Sequence, residues 1–171
     1  MKKIVLLFTC CISTHVIAQN DSSSNAKSVN SIDGILNEML NIISGEEGKK
    51  RDWDAFKNLF LPTANFSVLS QDESYPRSLE TVNLEDFIDS MKDSYYDKGF
   101  KEYELGKVVN EYNGIANVFQ SFYGKDSEGA EAKGINSYQL VYFKNRWWIA
   151  NMVWTFETDD LKIPKKYLKK N

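Results

Sequence analysis

Up to about residue 100, the apolar residues of this 171-residue chain recur every three or four positions; beyond it they recur at every second. The first pattern belongs to helices with one buried face, the second to strands. Ile32, Ile35, Leu36, Met39, Leu40, Ile42 and Ile43 predict a helix over about 31–44, ended by Gly45. Asp52 is placed to cap a second helix, on which Trp53, Phe56, Leu59 and Phe60 form one stripe until Pro62 stops it. Phe66, Val68 and Ser70 alternate as a short strand. Residues 71–80, polar and carrying Pro76, read as a loop. Leu84, Phe87, Ile88, Met91 and Tyr95 share one face of a third helix over 84–100, closed by Gly99.

From there the alternation predicts four antiparallel strands: 102–112, 115–124, 135–143 and a last one in RWWIANMVWTFE, 146–157. Asn113-Gly114 and Lys144-Asn145 are two-residue turns, the first a strong hairpin signal. Residues 125–134 make a longer loop. Helices followed by an antiparallel meander mean α+β. In the last strand both parities are apolar. Trp147, Ile149, Asn151, Val153 and Thr155 form one set; Trp148, Ala150, Met152, Trp154 and Phe156 form the other. The polar Asn151 favours placing the first set inward, with Trp148 and Trp154 opposite, although parity alone permits the reverse.

The N-terminus departs from both patterns. Lys2 and Lys3 precede a short apolar run, 4–12, and Val16-Ile17-Ala18 ends in a small residue, which predicts a signal peptide over 1–18. An uncleaved anchor stays open as the alternative. Residues 19–30, rich in Ser and Asn, read as a flexible spacer, 31–157 as the domain, and 158–171 as a basic tail with anchors at Ile163 and Tyr167. Cleavage would remove Cys10, Cys11 and His15, which are all the cysteines and the only histidine. That excludes disulfides, Cys/His metal sites and histidine-based nucleophilic centres from the mature chain. Lys2 and Lys3 would leave too, so 21 basic residues become 19 against 24 acidic ones, a balance unlike that of a nucleic-acid binder.

Several motifs span nearly the whole mature chain. They are Ile43-Ser44-Gly45 with RDWDAFKNLFLPTA (51–64), Gly99-Phe100, GIANVF (114–119) and GINSYQL (134–140). RWW (146–148) with Trp154 and Glu157, and IPKKYL (163–168), complete the set. In these the chain resembles a group of bacterial proteins of unknown function in the nuclear transport factor 2-like, or SnoaL-like, superfamily. The resemblance implies a cone-shaped α+β fold, three N-terminal helices on a curved antiparallel sheet, and a pocket between them. It also implies pairing into a homodimer through the outer sheet face. Isomerase and cyclase members of that superfamily use an Asp or Glu base with a Tyr or Asp donor.

Candidate pocket residues are Trp53, Tyr95, Tyr123, Ser137, Gln139 and Asn151, with Arg51 as a contact for an anion. At three strand positions parity leaves pairs open: Gln120 or Ser121, Asn136 or Ser137, Tyr138 or Gln139. Acids are scarce where a base would sit. Asp52 reads as a helix cap, Asp54 and Glu38 as solvated, and Glu102 or Glu104 as inward by parity. The reading is an exported (periplasmic or secreted) small-ligand-binding domain and homodimer. It carries no cofactor or metal, binds no nucleic acid, has no transmembrane segment after cleavage, and leans away from enzyme activity. The alternative is a lyase or isomerase working through a carboxylate and a tyrosine.

Overall fold

The first helix begins where Ser31 offers its hydroxyl to a backbone donor that helical bonding leaves unmet. Gly34 N–H donates to Ser31 Oγ at 3.0 Å. The structure is a computed structural model, and it describes residues 28–70, 77–92 and 98–169. Helix α1 spans Ile32–Ile43 and buries the apolar stripe that the spacing predicts. Helix α2, Trp53–Lys57, starts at Asp52, whose Oδ1 accepts from Ala55 N–H at 2.8 Å. This is the capping role expected of Asp52.

The predicted stripe on α2 is cut short. Strand β1, Phe60–Ser70, begins two residues before Pro62. Phe60 pairs with Ile149 of the last strand, and that long-range partner outweighs a fourth helical position. Pro62 is tolerated because the ladder is interrupted between Phe60 and Asn65, where a missing N–H costs nothing. Strand β2, Ser78–Asn83, lies partly in what reads as a loop. It is almost wholly exposed, so no apolar alternation marks it; hydroxyl pairs Ser67–Thr81 and Ser70–Ser78 help hold it to β1. Helix α3, Leu84–Lys92, follows, with Asp86 N–H donating to Asn83 Oδ1. The rest of that predicted helix, including Tyr95, lies largely outside the described residues.

The four predicted strands are present as β3 (Phe100–Tyr112), β4 (Ile115–Asp126), β5 (Glu131–Phe143) and β6 (Arg146–Phe156). Asn113 and Gly114, and likewise Lys144 and Asn145, have positive φ at both turn positions, the geometry whose twist matches a hairpin. The expected loop at 125–134 shrinks to four residues, because β4 and β5 stay paired as far as Lys125 and Glu131. The sheet order is β2-β1-β6-β5-β4-β3. Strand β1 runs parallel to β6, so the curved, unclosed sheet is mixed rather than wholly antiparallel. Its concave face packs against the three helices in one apolar core. Among the described residues no helix is long and apolar enough to cross a membrane.

Two β-bulges decide which side chains face that core. On β3, Glu104 opposes Phe122 and Gly106 opposes Ser121, so Leu105 has no partner. On β6, Ile149 opposes Leu140 and Asn151 opposes Gln139, so Ala150 has none. One extra residue exchanges the faces of everything beyond it. Trp147 and Ile149 therefore point inward, and after Ala150 the inward set becomes Met152, Trp154 and Phe156. The expectation for Asn151 and Trp154 is thus reversed, while Trp148 does lie on the outer side. There Arg146 stacks on the Trp148 ring at 3.9 Å, and the indole N–H donates to Phe143 O.

The C-terminal segment returns across the outer face of β3 and β4. Tyr167 stacks on Phe119 at 5.4 Å, Ser121 Oγ donates to Tyr167 O at 2.6 Å, and Lys107 N–H donates to Lys169 O. Gly106 makes this approach possible: a Cβ there would lie 2.6 Å from Leu168 C. At the other end Val29, within the predicted spacer, is buried, and its carbonyl accepts from Trp147 N–H.

Candidate functional site

Between the concave sheet and the helices lies a cavity of about 390 Å³. Its wall is mainly apolar, with Met39 from α1, Phe87 and Met91 from α3, and Phe100, Phe122, Met152, Trp154 and Phe156 from the strands. An aromatic series supports one side. Phe56 packs on Phe60, Phe60 on Phe66, and Phe66 stacks on Phe87 at 4.0 Å and 6°. Phe87 in turn meets Trp154 edge to face at 6.0 Å. Such contacts fix ring positions beyond what area burial alone would do.

Two polar side chains interrupt this wall deep inside, Glu102 and Asn136. Asn136 is 1% exposed, and its Nδ2 donates to Glu102 Oε1 at 3.0 Å. The second carboxylate oxygen has no hydrogen-bond partner among the described residues. It is not sealed in, since no fully buried side-chain polar atom described here lacks a partner. Glu102 lines both the cavity and a shallow groove beside Ser44 and Gly45. The Ser44 hydroxyl fixes this stretch of β3 by accepting from Glu102 N–H at 3.0 Å. Burial pushes the Glu102 carboxyl up to about 7, and the Asn136 hydrogen bond opposes that shift. A carboxyl so placed is poised between its acid and base forms near neutrality.

Below the cavity a second polar chain runs through the core. Tyr138, fully buried, donates from its hydroxyl to Gln120 Oε1 at 3.2 Å. Gln120 Nε2 donates to Glu104 Oε2, and Lys107 Nζ donates to Glu104 Oε1, both at 2.7 Å. Lys107 also meets the exposed Asp33 at 3.2 Å. Burial, and then the negative charge of Glu102, drive the Tyr138 hydroxyl well above its ordinary value.

The residues proposed from sequence are scattered rather than gathered. Ser137, Gln139 and Asn151 lie on the outer face; Asn151 Nδ2 donates to Gln139 Oε1, and its own Oδ1 accepts from Asn65 N–H. Tyr123 is outside too, stacked on Tyr103 and hydrogen-bonded to Glu131. Trp53 packs against Phe56 at the base of the core, away from the cavity wall. Arg51 is buried but spends its guanidinium on backbone carbonyls. It donates to Ile43 O at 3.1 Å, Gly45 O at 2.9 Å and Lys49 O, closing the C-terminus of α1. It is thereby a cap, not a free cation aimed at the cavity. In each open pair the inward member is the one at even number: Gln120, Asn136 and Tyr138. The Asn136–Glu102 pair escaped the sequence reading because the two residues lie 34 positions apart on strands that are not neighbours.

No protein-family model matches the chain, and no curated protein matches it in sequence. Solved structures match its shape. An NTF-2 like protein of unknown function from Silicibacter pomeroyi is 14% identical, covering 80% of this chain and 100% of its own, with a TM-score of 0.52. A protein of unknown function with a cystatin-like fold from Nostoc punctiforme is 8% identical (73% and 87% covered, TM-score 0.55). A protein from Novosphingobium aromaticivorans, described as the beta subunit of a candidate aromatic-ring-hydroxylating dioxygenase, is 12% identical (85% and 98% covered, TM-score 0.56). At such identities the likeness is one of fold, and fold alone carries no activity. The chain has the nuclear transport factor 2-like fold, a cone of α+β architecture closed by helices on its concave side.

Proposed function

We propose that this is a small-molecule-binding domain whose ligand enters the cone cavity and presents its polar group to Glu102 and Asn136. The observation that carries the reading is a carboxyl–amide pair deep in a mainly apolar wall. Ligand sites commonly have this make-up, a greasy enclosure with a few convergent polar atoms, and the volume of about 390 Å³ suits a small organic molecule. Export rests on residues 1–18, and pairing of two copies on Tyr103, Phe119 and Val153, exposed on the outer sheet face. A melting-temperature screen with neutral aromatic and aliphatic compounds tests the binding reading. The expected result is an upward shift with some compounds, lost when Met152→Trp fills the cavity. A screen in which no compound shifts the wild-type protein sinks it.

A second reading, proton transfer by Glu102, is favoured by its placement in the apolar cavity wall beside Asn136, where burial pushes the carboxyl up to about 7. Such a group both takes and returns a proton at low cost. The partner donor would be Asn136 rather than a tyrosine, because the Tyr138 hydroxyl is committed to Gln120. Exchange of deuterium from solvent into an enolisable ketone, abolished by Glu102→Gln, is the expected signature. An equal rate in that variant would refute it.

A further inference from the structure

We infer that the cavity takes an organic cation, an ammonium on an apolar body, held between the Glu102 carboxylate and the surrounding ring faces. The inference rests on the small-molecule reading above and names its ligand class. Phe87, Phe100, Phe122, Trp154 and Phe156 all reach the wall, and aromatic faces attract cations. Among the described residues the charged side chains that reach the cavity are Glu102 within and Lys125, Asp126 and Glu131 at the rim. Lys125 is already paired with Glu131 at 3.1 Å. Among the described residues no basic side chain lines the interior, so an anionic ligand would meet a carboxylate with no cation beside it to offset it.

The protein also withholds its own counter-charge. Lys107, a buried cation on the same strand, is held by Glu104 and Asp33, the buried Arg51 by backbone carbonyls, and Gln120 by Glu104 and Tyr138. Glu102 is left with one amide donor and one open oxygen. A desolvated charge without a partner is costly, and a ligand ammonium supplies both the missing charge and a donor for that oxygen. The carboxyl that burial raises to about 7 is then drawn back down, so binding just below neutrality expels a proton. Among the described residues, Tyr138 and Glu104 beneath Glu102, and the rim charges named above, are the other ionisable groups that face it.

Three probes of one shape separate the possibilities: tryptamine, its alcohol tryptophol, and indole-3-acetate, titrated calorimetrically into the full chain at pH 8. The amine is expected to bind about tenfold more tightly than the alcohol, with the acid weakest. In Glu102→Gln the preference for amine over alcohol disappears. At pH 6, buffers of different ionisation enthalpy should report proton release with the amine and none with the alcohol in wild-type protein, a readout that needs no variant. An alcohol that binds as well as the amine, or a preference that survives in Glu102→Gln, overturns the cation assignment and leaves the small-molecule reading standing. Failure of all three to bind overturns both.

Discussion

Glu102 and Glu104 sit two residues apart on one strand and point to the same face, yet their surroundings differ. Glu104 is met by Lys107 and Gln120, each at 2.7 Å. It is a structural acid, each carboxylate oxygen held by a donor of the protein itself. Glu102, facing the cavity, has one amide and a ring of apolar side chains. Its balance is incomplete, and the carboxyl responds by moving towards neutrality. Identical chemistry two positions apart thus yields a fastener in one place and a poised group in the other. The bulge at Leu105 is what separates them, because it brings Lys107 round to the inner face beside Glu104.

The largest break in this comparison should come from Lys107→Met, which strands the Glu104 charge in the core. We predict a loss of about 3 kcal/mol in urea unfolding, much of it recovered in the double variant with Glu104→Gln. Glu102→Gln should act in the other direction. With its carboxyl raised, the folded protein holds a proton more tightly than the unfolded chain, between the ordinary carboxylate range and about pH 7. The stability due to this group therefore falls as pH rises through that window and stays low above it. The variant should match wild type near pH 4 and exceed it by on the order of 2 kcal/mol at pH 8. Asn136→Leu removes the one hydrogen bond that opposes the shift, so NMR titration of the Glu102 carboxyl should show a midpoint higher still. Smallest of all, Asp33→Asn should change stability by about 0.5 kcal/mol or less, because that end of the Lys107 pairing is open to water.

Much of the fold was readable in the sequence because it depends on local rules. Ser31 and Asp52 cap helices, and Asn113-Gly114 turns a hairpin, for reasons written within a few residues. What escaped were features set by distant partners. Strand β2 carries almost no buried side chain, so it exists because β1 lies beside it. Phe60 left its helix for Ile149. The candidate site suffered most: Asn151 was placed inward on unbroken alternation, and Ala150 breaks it. Ser137 and Gln139 were choices of parity, which no residue near them could decide. Arg51 was legible as an unusual cation but not as a cap, because backbone carbonyls leave no trace in a sequence.

Strand β3 is one of two raw edges of an open sheet, and unpaired edge amides invite another chain to add on. Here the amides of Phe100, Glu102 and Lys107 are taken by Gly45 O, Ser44 Oγ and Lys169 O. The end of α1 and the C-terminal strap thus close the same border from its two sides. The strap, which reads in sequence as a loose basic tail, is therefore a guard against sheet-to-sheet growth. Cutting the chain before Ile163 is expected to show its worth first as aggregation in light scattering, before any loss at the cavity.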